Sequence, residues 1–208
     1  MTTEHFDGVP EPRTAAARAA LEVATEYCSP ALLNHSLRSY IWAVSRAGRT
    51  GIAFDEELLY VSAMLHDIGL VPEFDSHTVP FEFAGGHVAW VFGAGAGWPA
   101  ERRRRASDII VRHMWSEVDV TVDPEGHLLE LATGLDISGR HPEWWPRGFR
   151  DDVVRVLPRL GLRAEFLRCF QEQAMRKPGS TAAAAVASGI ADRLAPNVLD
   201  EGSSASTD

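Results

Sequence analysis

A histidine, a histidine–aspartate pair 31 positions further on, and a later lone aspartate among apolar neighbours are the residues best suited to chemistry: His35 in LLNHSLRSY, His66-Asp67 in SAMLHDIGL and Asp136 in ELATGLDISG. Imidazole nitrogens and carboxylate oxygens together form a ligand set for a divalent transition ion. An ion so held, with one position open, lowers the pKa of a water from about 15.7 toward about 7 and makes it a usable nucleophile. The pair alone also fits a duller reading, a histidine at a helix C-terminus beside a solvated aspartate. Asp136 shifts the balance. It lies four residues after Ala132 on the stripe formed by Leu128, Leu129, Ala132 and Leu135, and an ionised carboxylate on a core face needs a metal or a cationic partner.

Other residues qualify by position. His113 follows Ile109 and Ile110 by four and three residues, so it shares their face and could be a ligand, a proton carrier or a core histidine. His87 follows Gly85-Gly86, where missing side chains let backbone approach a site. His77, in the loop EFDSHTVPFE, is a candidate proton shuttle or a surface histidine. Arg38, one turn after His35, could steady a ligand or substrate, or pair with a carboxylate. Phe74, Phe81, Phe83, Trp90, Trp115 and Trp145 could wall a pocket and are equally explained as core.

Helices must position these groups. The spacing of apolar residues, caps and breakers predicts helices near 12–28, 34–48, 55–69, 86–95, 99–115, 125–138, 151–157, 164–176 and 181–193. Ser29-Pro30 is read as a stop, Asn34 and Asp55 as N-caps, and 71–83 as a breaker-rich loop. VDVTVD is the sole strand-like segment. His66 and Asp67 fall at the end of the third helix, just before Gly69. That placement matters because adjacent residues within a helix point about 100° apart and reach one ion only where the helix stops. The expectation is an all-α, single-domain bundle over 12–200, with poorly ordered ends at 1–11 and 201–208.

Composition removes some classes of function. Of 208 residues 45% are hydrophobic and 24% charged, as in an ordinary globular chain, and the net charge of −9 leaves no footprint for nucleic acid. The only basic run, at 102–105, opens a helix and reads as a solvated face. Two cysteines without a CxxC, a polar acidic start, and no long apolar run point to a cytoplasmic protein with no membrane span. Its expected partner is a small-molecule substrate, and the late helices leave room for a homo-oligomer.

Together the order and contexts of His35, His66-Asp67 and Asp136 resemble the HD-domain superfamily, whose pattern is H…HD…D on a helical bundle. NHSLRSY, AMLHDIGL, FEFAGG and IIVRH are similar to the cyanamide hydratase-like group within it. The resemblance implies that His35, His66, Asp67 and Asp136 hold one ion, with zinc or iron expected ahead of manganese or nickel. It also implies that Asp67, His113 and His77 serve catalysis and that Arg38 and Glu82 (in FEFAGG) contact substrate. The implied reaction is hydrolysis or hydration of a small molecule such as a nitrile or cyanamide. Two alternatives stay open. Phosphohydrolase members read HDIGK, whereas Leu70 stands at that place here and Lys177 is the single lysine. Di-iron oxygenases add two histidines between HD and the last aspartate, and His87 with His113 would supply a second ion.

Overall fold

Polar side chains fix where several helices start. In the computed structural model, which describes residues 12–195 and 197–200, the Thr14 hydroxyl accepts from Ala17 N and opens α1 (Ala15–Tyr27). Ser29 accepts from Leu32 N and opens α2 (Pro30–Thr50), with Pro30 in its first turn. The expected boundary at Asn34 is therefore five residues late for the cap. Ser-Pro both ends one helix and begins the next, because proline at the first helical position forfeits only an N–H that has no partner there. Asp55 caps α3 (Glu56–Leu65) as expected, accepting from Leu58 N. His66 ends that helix, and a short 3-10 turn, Ile68–Leu70, follows.

The next helix, α4 (Phe81–Gly95), follows directly on Pro80, earlier than the breaker-rich sequence implied. Gly85 and Gly86 sit inside it because neighbours press close. A Cβ on Gly85 would lie 3.2 Å from the His66 carbonyl, and one on Gly86 only 2.7 Å from Ser107 Oγ. Close packing overrides the poor helix propensity of glycine. The remaining helices are α5 (Ala100–Arg112), α6 (Pro124–Ser138), α7 (Arg147–Val156), α8 (Leu162–Arg176), α9 (Thr181–Ala187) and α10 (Ile190–Leu194). The last two were expected as one helix; Gly189, at φ +78°, breaks it.

Among the described residues there is no strand, so the all-α expectation holds and VDVTVD is not extended sheet. The ends at 1–11 and 201–208 lie outside the described residues. No helix is long and apolar enough to cross a membrane. Cys28 and Cys169 are both free thiols, and burial pushes them up to about 12 and about 11 respectively.

Helix α2 runs through the centre, with Tyr40, Ile41, Trp42 and Ala43 fully buried, and packs on α3 and α6. A second, smaller apolar cluster joins Leu70 and Phe81 to Phe166 and Phe170 of α8, Ala182 of α9, and Ile190 and Leu194 of α10. The site lies where these two cores meet.

Candidate metal centre

Three imidazoles are oriented by what their Nδ1 atoms touch. His66 Nδ1 donates to the Ala63 carbonyl at 2.8 Å, and His113 Nδ1 donates to the Ile110 carbonyl. His35 Nδ1 donates to Asp136 Oδ2 at 2.7 Å. Each Nδ1 thus carries the ring hydrogen, which leaves each Nε2 with a bare lone pair.

Those lone pairs converge. His35 Nε2 and His66 Nε2 are 3.1 Å apart, and they lie 3.4 and 3.3 Å from Asp67 Oδ2. His113 Nε2 is 3.7 Å from Asp67 Oδ1. Neither oxygen of Asp67 receives a hydrogen bond, although the residue is buried. Lone pairs facing lone pairs in a buried space repel unless positive charge lies between them. Burial alone would raise Asp67 and lower His35; the neighbouring imidazoles outweigh it and hold Asp67 well below its usual value, while the Asp136 and Asp67 carboxylates raise His35. Burial holds His113 down to about 4.

A divalent ion answers this need. Ligand atoms bound tetrahedrally at about 2.0–2.1 Å stand about 3.3–3.4 Å apart, close to the separations among His35, His66 and Asp67. These three form the buried group able to hold a metal. The end of α3 explains how neighbours in sequence share it: after Leu65 the chain leaves the helix, so His66 and Asp67 turn to one point. Gly69 permits that turn, since a Cβ there would overlap the Phe81 carbonyl at the start of α4.

Asp136 is placed differently from the sequence expectation. It lies on the far edge of the His35 ring, and its oxygens are taken. Arg38 Nε donates to Oδ1 and Nη2 to Oδ2, both at 2.8 Å, and Trp42 Nε1 donates to Oδ1 at 2.9 Å. Asp136 therefore orients His35 from behind rather than facing the trio. Burial alone would raise its carboxyl; Arg38 and His35 outweigh that and hold it well below the usual range. Arg38, expected at a substrate, is fully buried, and its remaining bonds go to the Leu157 and Pro158 carbonyls.

Three other expectations also move. His87 is exposed, because the glycines before it face inward and turn it outward, so no second histidine pair assembles. His77 is exposed and borders a separate hollow with Asp75 and Arg176. Glu82 is buried, accepts from Thr181 Oγ1 at 2.8 Å, and ties α4 to the start of α9 rather than lining the cavity. Burial pushes its carboxyl up.

The trio and His113 form the floor of a cavity of about 460 Å³. Its walls include Ile137, Phe166, Phe170, Ile190 and Leu194, while Trp115, Arg140 and Arg193 line its outer part. Of the aromatic residues singled out in the sequence, Trp115 alone borders this cavity. The wall from α8 and α10 carried no sequence signal, since apolar residues at helical spacing read as core. Arg140 is ion-paired with Glu130.

Comparison with known proteins agrees with this geometry. The HD domain family matches residues 32–117, a span that contains His35, His66, Asp67 and His113. The cyanamide hydratases DDI2 and DDI3 of Saccharomyces cerevisiae are each 30% identical over 167 residues, covering 78% of this chain and 72% of theirs. With that similarity and a buried His-His-Asp group built from its second helix and the end of its third, the chain belongs to the HD-domain family.

Proposed function

We propose that the protein is a metal-dependent hydratase or hydrolase that adds water to an electrophilic carbon, with a nitrile or cyanamide group as the reacting function. The observation that carries this reading is the meeting of His35 Nε2, His66 Nε2 and Asp67, whose oxygens receive no hydrogen bond, at the floor of a cavity. A transition ion bound there supplies Lewis acidity and brings a water toward ionisation near neutral pH.

The protein's own groups do the rest. Asp136 locks the His35 tautomer, and Arg38 and Trp42 lock Asp136; such outer partners raise ligand basicity and fix ring orientation. His113, neutral because burial disfavours its charge, presents the Nε2 lone pair beside Asp67, placed to accept a hydrogen bond and orient a water. Phe166 stands edge-on to His35, with ring centroids 6.4 Å apart, and keeps bulk water from that side. The relatives' names, cyanamide hydratase, support hydration of a carbon–nitrogen triple bond as the reaction type.

Two cations that a phosphate ester could use beside the reacting centre are engaged elsewhere. Arg38 is spent on Asp136, and Lys177 Nζ donates to Asp75 and Gln173 at 2.7 and 2.6 Å. A di-iron oxygenase would need His87, which faces out. The test is elemental analysis of the purified protein followed by turnover of cyanamide against p-nitrophenyl phosphate. About one zinc or iron per chain and faster hydration of cyanamide are expected. Faster cleavage of the phosphate ester with added manganese would replace this reading with a phosphohydrolase.

A further inference from the structure

Resting on the hydratase reading, we infer that the physiological substrate is much larger than cyanamide. It carries an apolar body of aromatic size behind the reacting group and a carboxylate at its far end. Size is the first observation. A molecule of three heavy atoms displaces on the order of two waters, about 60 Å³, whereas the cavity above the trio is about 460 Å³. Cavities of several hundred cubic ångströms with apolar walls hold ligands whose bulk is itself apolar.

The lining is the second observation. Phe166 and Phe170 stack on each other, with centroids 4.3 Å apart and planes at 30°, and Ile137, Ile190 and Leu194 complete the wall. A small polar solute gains nothing from such surfaces, while an aryl or branched alkyl group gains in proportion to the area it buries. Because Phe166 also meets His35, a ring lying against it extends outward from the reacting atoms.

Charge at the mouth is the third observation. Arg193, on α10, lines the cavity and is exposed, in contrast to the buried floor. Its guanidinium is fixed in place: Nη1 donates to the Ser188 carbonyl at 2.6 Å, and Nη2 donates to the Ala185 carbonyl at 3.3 Å and to Ser188 Oγ at 3.2 Å. These partners are neutral oxygens at the C-terminal end of α9, and among the described residues no carboxylate is paired with the guanidinium. Arg140, the other cation of the lining, is already matched by Glu130. A pre-placed guanidinium at the end of an apolar channel selects a carboxylate.

The experiment uses the full-length, metal-loaded protein with three compounds: cyanamide, phenylacetonitrile and para-carboxyphenylacetonitrile. Binding is read by isothermal titration calorimetry and hydration by chromatography of the amide or urea product. Phenylacetonitrile should bind about tenfold or more tighter than cyanamide. The carboxylated compound should bind about tenfold tighter still, and Arg193→Gln should bring that last ratio close to one. Being a ratio within one variant, it is insensitive to general loss of folded protein. Equal or better binding of cyanamide, or a carboxylate preference untouched by Arg193→Gln, overturns the inference while leaving the hydratase reading intact. Arg193-dependent binding without hydration of any nitrile has the opposite meaning: the pocket assignment stands and the reaction falls.

Discussion

Replacing Asp136 by asparagine separates two roles that a buried carboxylate near a metal can have. The substitution keeps the shape and one acceptor oxygen but removes the charge that Arg38 and His35 face. Arg38 is fully buried, and the bidentate pair at 2.8 Å is what makes its charge tolerable there. Removing one member of such a pair destabilises by about 3–5 kcal/mol, because the other is left uncompensated. That is a large part of a typical total of about 5–15 kcal/mol. For a chain of this size it corresponds to a fall in Tm of about 6–20 °C. Metal affinity should fall by about 10–100-fold, the usual effect of losing the carboxylate behind a ligating imidazole, and should not vanish. The assay is thermal unfolding of metal-stripped and metal-loaded protein by circular dichroism, with affinity read by chelator competition. The double variant Arg38→Met with Asp136→Leu should recover part of the metal-free stability, since the Arg38 charge leaves with its partner and Arg159 keeps Asp200, while Trp42 Nε1 and His35 Nδ1 lose their acceptor. A metal-stripped Asp136→Asn protein melting within about 1 °C of wild type, yet unable to bind metal, would make Asp136 a ligand and refute this account.

Other outcomes follow from the same geometry. His66→Ala and Asp67→Ala should each abolish metal binding while far-ultraviolet circular dichroism stays helical; retained stoichiometric metal in both would remove the site. Gly69→Ala should lower stability by about 2 kcal/mol or more, because the Phe81 carbonyl occupies the space of the new methyl, and an unchanged urea midpoint would contradict this. Asp123 gives the pH dependence. Burial would raise it, but Arg105, the Gly126 amide and Arg112 outweigh burial and hold it below its usual value. Its contribution is therefore complete above the unfolded value of about 3.9 and declines as pH falls through the folded one. Urea unfolding should show the gap between wild type and Asp123→Asn narrowing below about pH 4, whereas parallel curves would discount the ion pairs.

Much of the centre was readable from residue order. His66 and Asp67 are adjacent before a glycine, and only a helix end lets both reach one ion; the structure has that end. The burial of Asp136 was also readable from its stripe, but its role was not. Arg38 stands one turn after His35 and suits a substrate or a carboxylate equally, and only the seating of α2 on α6 decides. His87 and His113 look alike in sequence, each one being preceded by residues suited to a packed face. The difference is rotational: Gly85 and Gly86 are drawn inward by α3 and α5, which sends His87 to solvent. Helix starts failed where one residue serves two helices, as at Ser29-Pro30, and where the breaker-rich loop at 71–83 runs straight into α4 at Phe81. The cavity wall could not be foreseen, because Phe166 and Phe170 gain meaning only when α8 comes to rest beside His35.

The small apolar cluster that ties α8, α9 and α10 over the cavity has an evolutionary meaning. His35, His66, Asp67 and His113 hang from α2, α3 and α5 beside the larger core, while the apolar wall of the cavity hangs mainly from later helices with a core of their own. Such a division would let side chains of the wall change one at a time without disturbing the packing that seats the His-His-Asp group. Descendants of one ancestral catalyst could then part company in diet without relearning their trade.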